Sequence, residues 1–192
     1  MKRIIVQAAL LALALAAPAL AQENPKANPS PTVVGEASAR NPHAQIGIAG
    51  QVYIGDLAPD FELDGSHGVP VRLSRLRGDW VLMVFAERRD QFVPMREIAD
   101  TMRQSGVTII GVVHEKARTL DTYPARDSIP LMLADVTGEV STMYGRFDSL
   151  HQKIVPGFLV LDRTGIVRIA FSGQSLPPEE IGRLTQFAVT GF

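Results

Sequence analysis

The chain has 192 residues, with 19 basic and 20 acidic side chains and no cysteine. A formal net charge of −1 excludes the broad positive surface of a general nucleic-acid binder or of a protein held on anionic membranes. The lack of cysteine excludes disulfides, lipid attachment through a thiol and thiol catalysis by these residues, so the core alone has to stabilise the fold.

Lys2 and Arg3 precede an almost wholly apolar stretch over residues 4–17, and Ala19-Leu20-Ala21 has the small-residue pattern of an export-signal cleavage site. The stretch is short for a hydrocarbon core of about 30 Å. The expectation is a signal peptide over residues 1–21, cut before Gln22. It implies a bacterial exported protein, periplasmic and without stable membrane insertion after cleavage. Residues 22–52 carry Asn24-Pro25, Asn28-Pro29, Ser30-Pro31 and Asn41-Pro42, a composition that builds a linker and no packed core.

From residue 53 the pattern alternates as in an α/β domain. Residues 61–63 and 69–73 flank Gly65 and Gly68 as a hairpin. Residues 80–86 are continuously apolar, which suits a strand buried on both faces. A helix is predicted over 92–104, with Phe92, Met95, Ile98, Ala99 and Met102 on one face, Asp90 as its N-cap and Gly106 as its stop. Residues 107–113 form a second buried strand and 131–134 a short one. A short helix spans 138–144. Residues 158–161 and 167–171 form a hairpin around Arg163-Thr164-Gly165, and a last helix covers 177–187 with Glu179 and Glu180 in its first turn.

Four segments resemble one family, in order. They are Gly55-Asp56-Leu57-Ala58-Pro59-Asp60-Phe61, the run from Leu73 through Gly78 to Phe85, Asp135-Val136-Thr137-Gly138-Glu139-Val140 with Tyr144-Gly145, and Phe158-Leu159-Val160-Leu161-Asp162 with Gly165. Together they resemble the peroxiredoxin, or AhpC/TSA (redoxin), family of the thioredoxin-like superfamily. The resemblance implies a thioredoxin-like α/β fold over residues 53–192, a central mixed sheet flanked by helices, with an N-terminal β-hairpin.

The same resemblance places the family's reactive cysteine in P-x-x-x-T-x-x-C, just after the first central strand. Free N–H groups and the helix dipole at that place lower a thiol pKa. Here Glu87 stands at the motif proline, Gln91 at the threonine and Pro94 at the cysteine. Proline has neither a nucleophilic atom nor an N–H, so the family's catalysis does not carry over. The thioredoxin motif C-x-x-C is absent too.

Charge is what remains at this junction: Glu87, Arg88, Arg89 and Asp90, then Arg96. The arginines either hold a carboxylate or phosphate with helix N–H groups or pair with their own acidic neighbours. Pro156 precedes the strand at 158–161, where related proteins carry a cis-proline beside a peptide groove and peroxiredoxins often an arginine. It reads either as such a groove or as a rigid turn. His67, His114 with Glu115, and His151 lack metal-ligand spacing, so no metal and no cofactor is expected. Two functions stay open: a non-catalytic binding module for a periplasmic protein or small anion, with a homodimer as one assembly open to it, or an enzyme of non-thiol mechanism using His114, Glu87 or Asp90.

Overall fold

The computed structural model describes residues 52–121 and 131–191. The expected signal peptide and nearly all of the expected linker lie outside the described residues. The sheet elements are β1 (Glu62–Gly65), β2 (Pro70–Arg72), β3 (Trp80–Phe85), β4 (Val107–Val113), β5 (Leu131–Ala134), β8 (Gly157–Leu161) and β9 (Val167–Ser172), with β6 (Phe147–Asp148) and β7 (Lys153–Ile154) forming a separate small hairpin. The helices are α1 (Arg96–Gln104), α2 (Ala117–Leu120), α3 (Glu139–Met143) and α4 (Pro178–Gly191). A 3-10 helix, Arg89–Met95, leads into α1.

The seven-stranded sheet runs β2-β1-β5-β4-β3-β8-β9. β3 lies inside it, parallel to β4 and antiparallel to β8. Every residue of β3 is buried, which explains its unbroken apolar run. Alternate side chains enter opposite layers. Trp80, Leu82 and Val84 meet Phe92, Met95, Ile98 and Met102 together with Ile181 and Ala188 of α4. Val81, Met83 and Phe85 meet Phe61, Tyr144, Phe147 and Ile154 on the other face. Each large side chain so enclosed contributes about 1.5–3 kcal/mol of apolar transfer energy. This is a thioredoxin-like α/β fold, with the β1–β2 hairpin at its N-terminal side.

Two expectations are corrected here. The helix expected from residue 92 begins as α-helix only at Arg96; Phe92 and Met95 reach the core from the preceding 3-10 turn instead. Pro94 has no N–H to donate, so the i→i−4 ladder takes hold only beyond it. Asp90 is not the N-cap. Arg88 holds that place and Asp90 lies inside the turn.

Gly157 is required by close approach. A β-carbon there would stand 2.2 Å from the Phe171 carbonyl oxygen and 3.2 Å from Arg146 Nε. The absent side chain lets β9 and the arginine close over the start of β8.

Candidate functional site

The site is the junction where interior strand β3 ends at Phe85 and the chain turns through 86–88 into the 3-10 helix. Gln91 clamps that turn. Its Oε1 accepts the Arg88 backbone N–H at 3.0 Å, and its own N–H donates to the Arg88 carbonyl at 3.2 Å. Arg88 lays its guanidinium on Asp90, with Nε to Oδ1 at 3.1 Å and Nη2 to Oδ2 at 2.9 Å. Both side chains are largely exposed, so the pair is worth at most about 1 kcal/mol. Arg89 reaches across to the α2 side, with Nη1 3.3 Å from Glu115 Oε2 and 3.3 Å from the Thr119 carbonyl. Arg96 Nε donates to the Val93 carbonyl at 3.2 Å. Glu87 faces Lys153 of β7 at 3.8 Å. Pro94 is exposed on the outside of the turn. The arginines singled out in the sequence therefore share one junction, and each already has an acceptor from the protein.

Pro156 stands beside this junction, because the next residue, Gly157, is the Cα partner of Phe85 across β3 and β8. The Val155–Pro156 bond is trans, since no cis bond occurs among the described residues. The flanking backbone is committed internally: Val155 N–H donates to the Arg146 carbonyl at 2.8 Å, and the Pro156 carbonyl accepts Gly173 N–H at 3.0 Å. These bonds tie the backbone on both sides of Pro156 to neighbouring segments.

The histidines are engaged separately. His114 Nδ1 lies 2.9 Å from the Asp135 carbonyl, with its ring edge-on to Phe147. His151 Nδ1 lies 2.6 Å from Asp148 Oδ2. Burial of Asp148 works to raise its pKa, yet bonds from the His151 ring and N–H, the His151 charge and the Leu150 N–H hold it below the ordinary value. Among the described residues no group of three or more His, Asp or Glu side chains is placed to hold a metal.

Other acidic positions of the recognised segments serve the backbone. Asp60 accepts the Ser74 N–H at 2.8 Å and its hydroxyl at 2.9 Å. Asp135 accepts the N–H groups of Val140 and Ser141 at 3.4 and 2.7 Å. Asp162 accepts Thr164 N–H, Thr164 Oγ1 and Ile166 N–H, while its other oxygen takes Arg168 Nε at 2.8 Å. Tyr144 donates its hydroxyl to the Pro59 carbonyl at 2.6 Å, and burial pushes its pKa up.

The sequence pattern of the AhpC/TSA family matches residues 54–170. The chain belongs to the AhpC/TSA family. It is a cysteine-less member. A peroxiredoxin of Thermoplasma volcanium is 29% identical over 131 residues, covering 61% of this chain and 64% of the relative. Chloroplastic peroxiredoxin Q of Triticum aestivum is 25% identical over 144 residues, covering 70% and 66%. The chain thus spans just under two thirds of the length of these curated relatives. Among solved structures, peroxidoxin BcpB of Mycobacterium tuberculosis superposes with a TM-score of 0.65 at 20% identity, covering 74% of this chain and 99% of that one. Enterococcus faecalis AhpC superposes at 0.62 with 18% identity, covering 72% and 96%. Both likenesses are of fold. Within this AhpC/TSA member three aspartates brace turns, and the sequence has no cysteine.

Two residues of the junction escaped sequence reasoning: Lys153 and Arg146. Lys153 opens β7 and Arg146 immediately precedes β6, and the two-residue strands of this hairpin are too short to show a period. The alternation Arg146-Phe147-Asp148 against Lys153-Ile154-Val155 is the only trace of it.

Proposed function

We propose that this AhpC/TSA member is an exported, non-catalytic binding module that uses the β3–α1 junction for recognition instead of peroxide chemistry. The observation that carries the reading is the absence of cysteine from all 192 residues, with Pro94 standing where the resemblance implies the reactive cysteine. The internal pairing of Glu87 with Lys153 and of Asp90 with Arg88 speaks against their use as free acid or base groups. The ligand class is a small anion or a periplasmic protein, and a homodimer is part of the same proposal.

The test is peroxide consumption by the purified chain with a thiol reductant supplied. No loss of hydrogen peroxide above a protein-free blank is expected; saturable turnover would end the reading. Export is tested separately by sequencing the N-terminus of protein recovered from the periplasm of a Gram-negative host. It should begin at Gln22. Sedimentation of a monomer at all concentrations would remove the dimer.

A further inference from the structure

Helices α1 and α4 pack against each other over one face of the sheet, and a groove of about 360 Å³ opens between them. Its floor is apolar. Ile98 and Met102 of α1, four residues apart and both buried, line it from one side. Gly182 of α4 lines it from the other. A β-carbon at Gly182 would stand 3.2 Å from Ile98 Cγ2, so the bare backbone lets the two helices approach closely at this point.

The rim carries charge that the protein leaves unmatched. Glu97 and Glu179 line the groove and are exposed, and neither has an ion-pair partner among the described residues. The cations of these two helices are committed elsewhere. Arg183, also on the rim, holds Glu180 at 2.7 Å. Arg96 donates to the Val93 carbonyl at 3.2 Å, and Arg103 holds Asp100 at 2.8 Å. Glu97 and Glu179 are therefore an excess of negative charge at the mouth of an apolar space.

Size, surface and sign together select a ligand class. Small-molecule sites occupy roughly 300–1,000 Å³, so the groove takes one small organic molecule and no folded partner. An apolar body would cover Ile98 and Met102, and an aromatic one gains a further contact with the Met102 thioether. A cation relieves the repulsion between two carboxylates that line one space, whereas an anion adds to it.

We propose that the α1–α4 groove binds a small organic cation, an ammonium carried on an apolar body, with the body on Ile98 and Met102 and the charge at Glu97 and Glu179. The ligand has the opposite sign to one held by the arginines of the β3–α1 junction. The groove site stands whether or not that junction binds anything.

The experiment follows backbone amide and methionine methyl resonances of the purified chain during titration with benzylammonium chloride. Benzyl alcohol, sodium benzoate and methylammonium chloride are the comparators: the same body without charge, with the opposite charge, and the charge without the body. Amides of 97–102 and 179–186 and the Met102 methyl should move saturably with benzylammonium, with a midpoint on the order of 1 mM. Benzyl alcohol should bind more weakly, and benzoate and methylammonium should not saturate. Glu97→Gln/Glu179→Gln should raise the benzylammonium midpoint about tenfold and leave that of benzyl alcohol unchanged. Thr101→Trp, which places a large ring at an exposed position lining the groove, should block both ligands. No saturable movement, or movement mapped to other residues, overturns the site. Equal midpoints for benzylammonium and benzyl alcohol, or no effect of the double glutamine variant, overturn the selection of a cation. Movement of the same resonances with protein concentration alone would make the groove a face between copies of the chain and overturn the small-molecule reading.

Discussion

Gln91 and Arg88 bond each other twice through the turn after β3, side-chain oxygen to backbone N–H and backbone N–H to carbonyl. Gln91 is thus a brace of this turn. Its removal leaves an N–H at the helix start without its partner. Gln91→Ala should lower unfolding stability by about 1 kcal/mol, read from urea midpoints. Gln91→Glu, which keeps the acceptor, should stay within about 0.5 kcal/mol of the parent. Equal losses in both would show that the side chain matters for something other than this bond.

Restoring sulfur should not restore chemistry. Pro94 is exposed and the arginines around it are engaged by Asp90, Glu115 and the Val93 carbonyl. Pro94→Cys should fold like the parent and react with a thiol reagent. Its peroxide rate should match free cysteine of about pKa 8.5. Rapid, saturable turnover in this variant would mean that the missing sulfur was the sole defect.

Gly157→Ala should destabilise the domain by at least about 1–3 kcal/mol, the range for an overpacked core. The added carbon would stand 2.2 Å from a backbone oxygen of β9, which cannot rotate away as a side-chain tip can. The Arg146 Nε–H resonance should shift in the same variant, since the two groups adjoin. An unaltered urea midpoint would show that the β8–β9 contact is looser than described.

Acid should weaken the protein through Asp162. Burial acts to raise its pKa, but the hydrogen bonds from Thr164, Ile166 and Arg168 outweigh it and hold the group at about 2. The unfolded value is about 3.9. A depressed folded pKa stabilises at pH values above the unfolded one. The contribution, on the order of 2 kcal/mol, should be complete above about pH 5 and fade as pH falls through about 4 to 2. Asp162→Asn should lower stability at pH 7 and flatten the pH dependence in that window. An unchanged acid limb in that variant would assign acid loss to other carboxylates.

The buried strands were legible because apolar runs are local signals. Residues 107–113 and 131–134 became β4 and β5 with the expected bounds, and the run at 80–86 lost only Ala86. The turn at 89–95 was not legible. Its 3-10 form depends on a side chain reaching back three residues, and the expected α-helical face merely happened to include Phe92 and Met95. Candidate residues came together because one motif contains most of them. Their partners came from elsewhere in the chain: Glu115 beyond β4, and Lys153 on a hairpin hidden among polar residues. The burial of Arg146 arises from β8 and its neighbours closing over one glycine. No spacing around residue 146 announces it.

The two-layer packing around β3 has a consequence for endurance. Met83, Met95, Met102 and Met132 are each 2% exposed or less, whereas Met143 is 40% exposed. Sulfoxide formation follows access to the sulfur. With no thiol to be driven up the ladder to sulfinic or sulfonic acid, bleach or peroxide stress leaves Met143 as the vulnerable described sulfur, on the outside of a five-residue helix. A scaffold shared with proteins named for peroxide chemistry has, in this version, no thiol to lose to an oxidant, and Met143 is the described methionine most open to one.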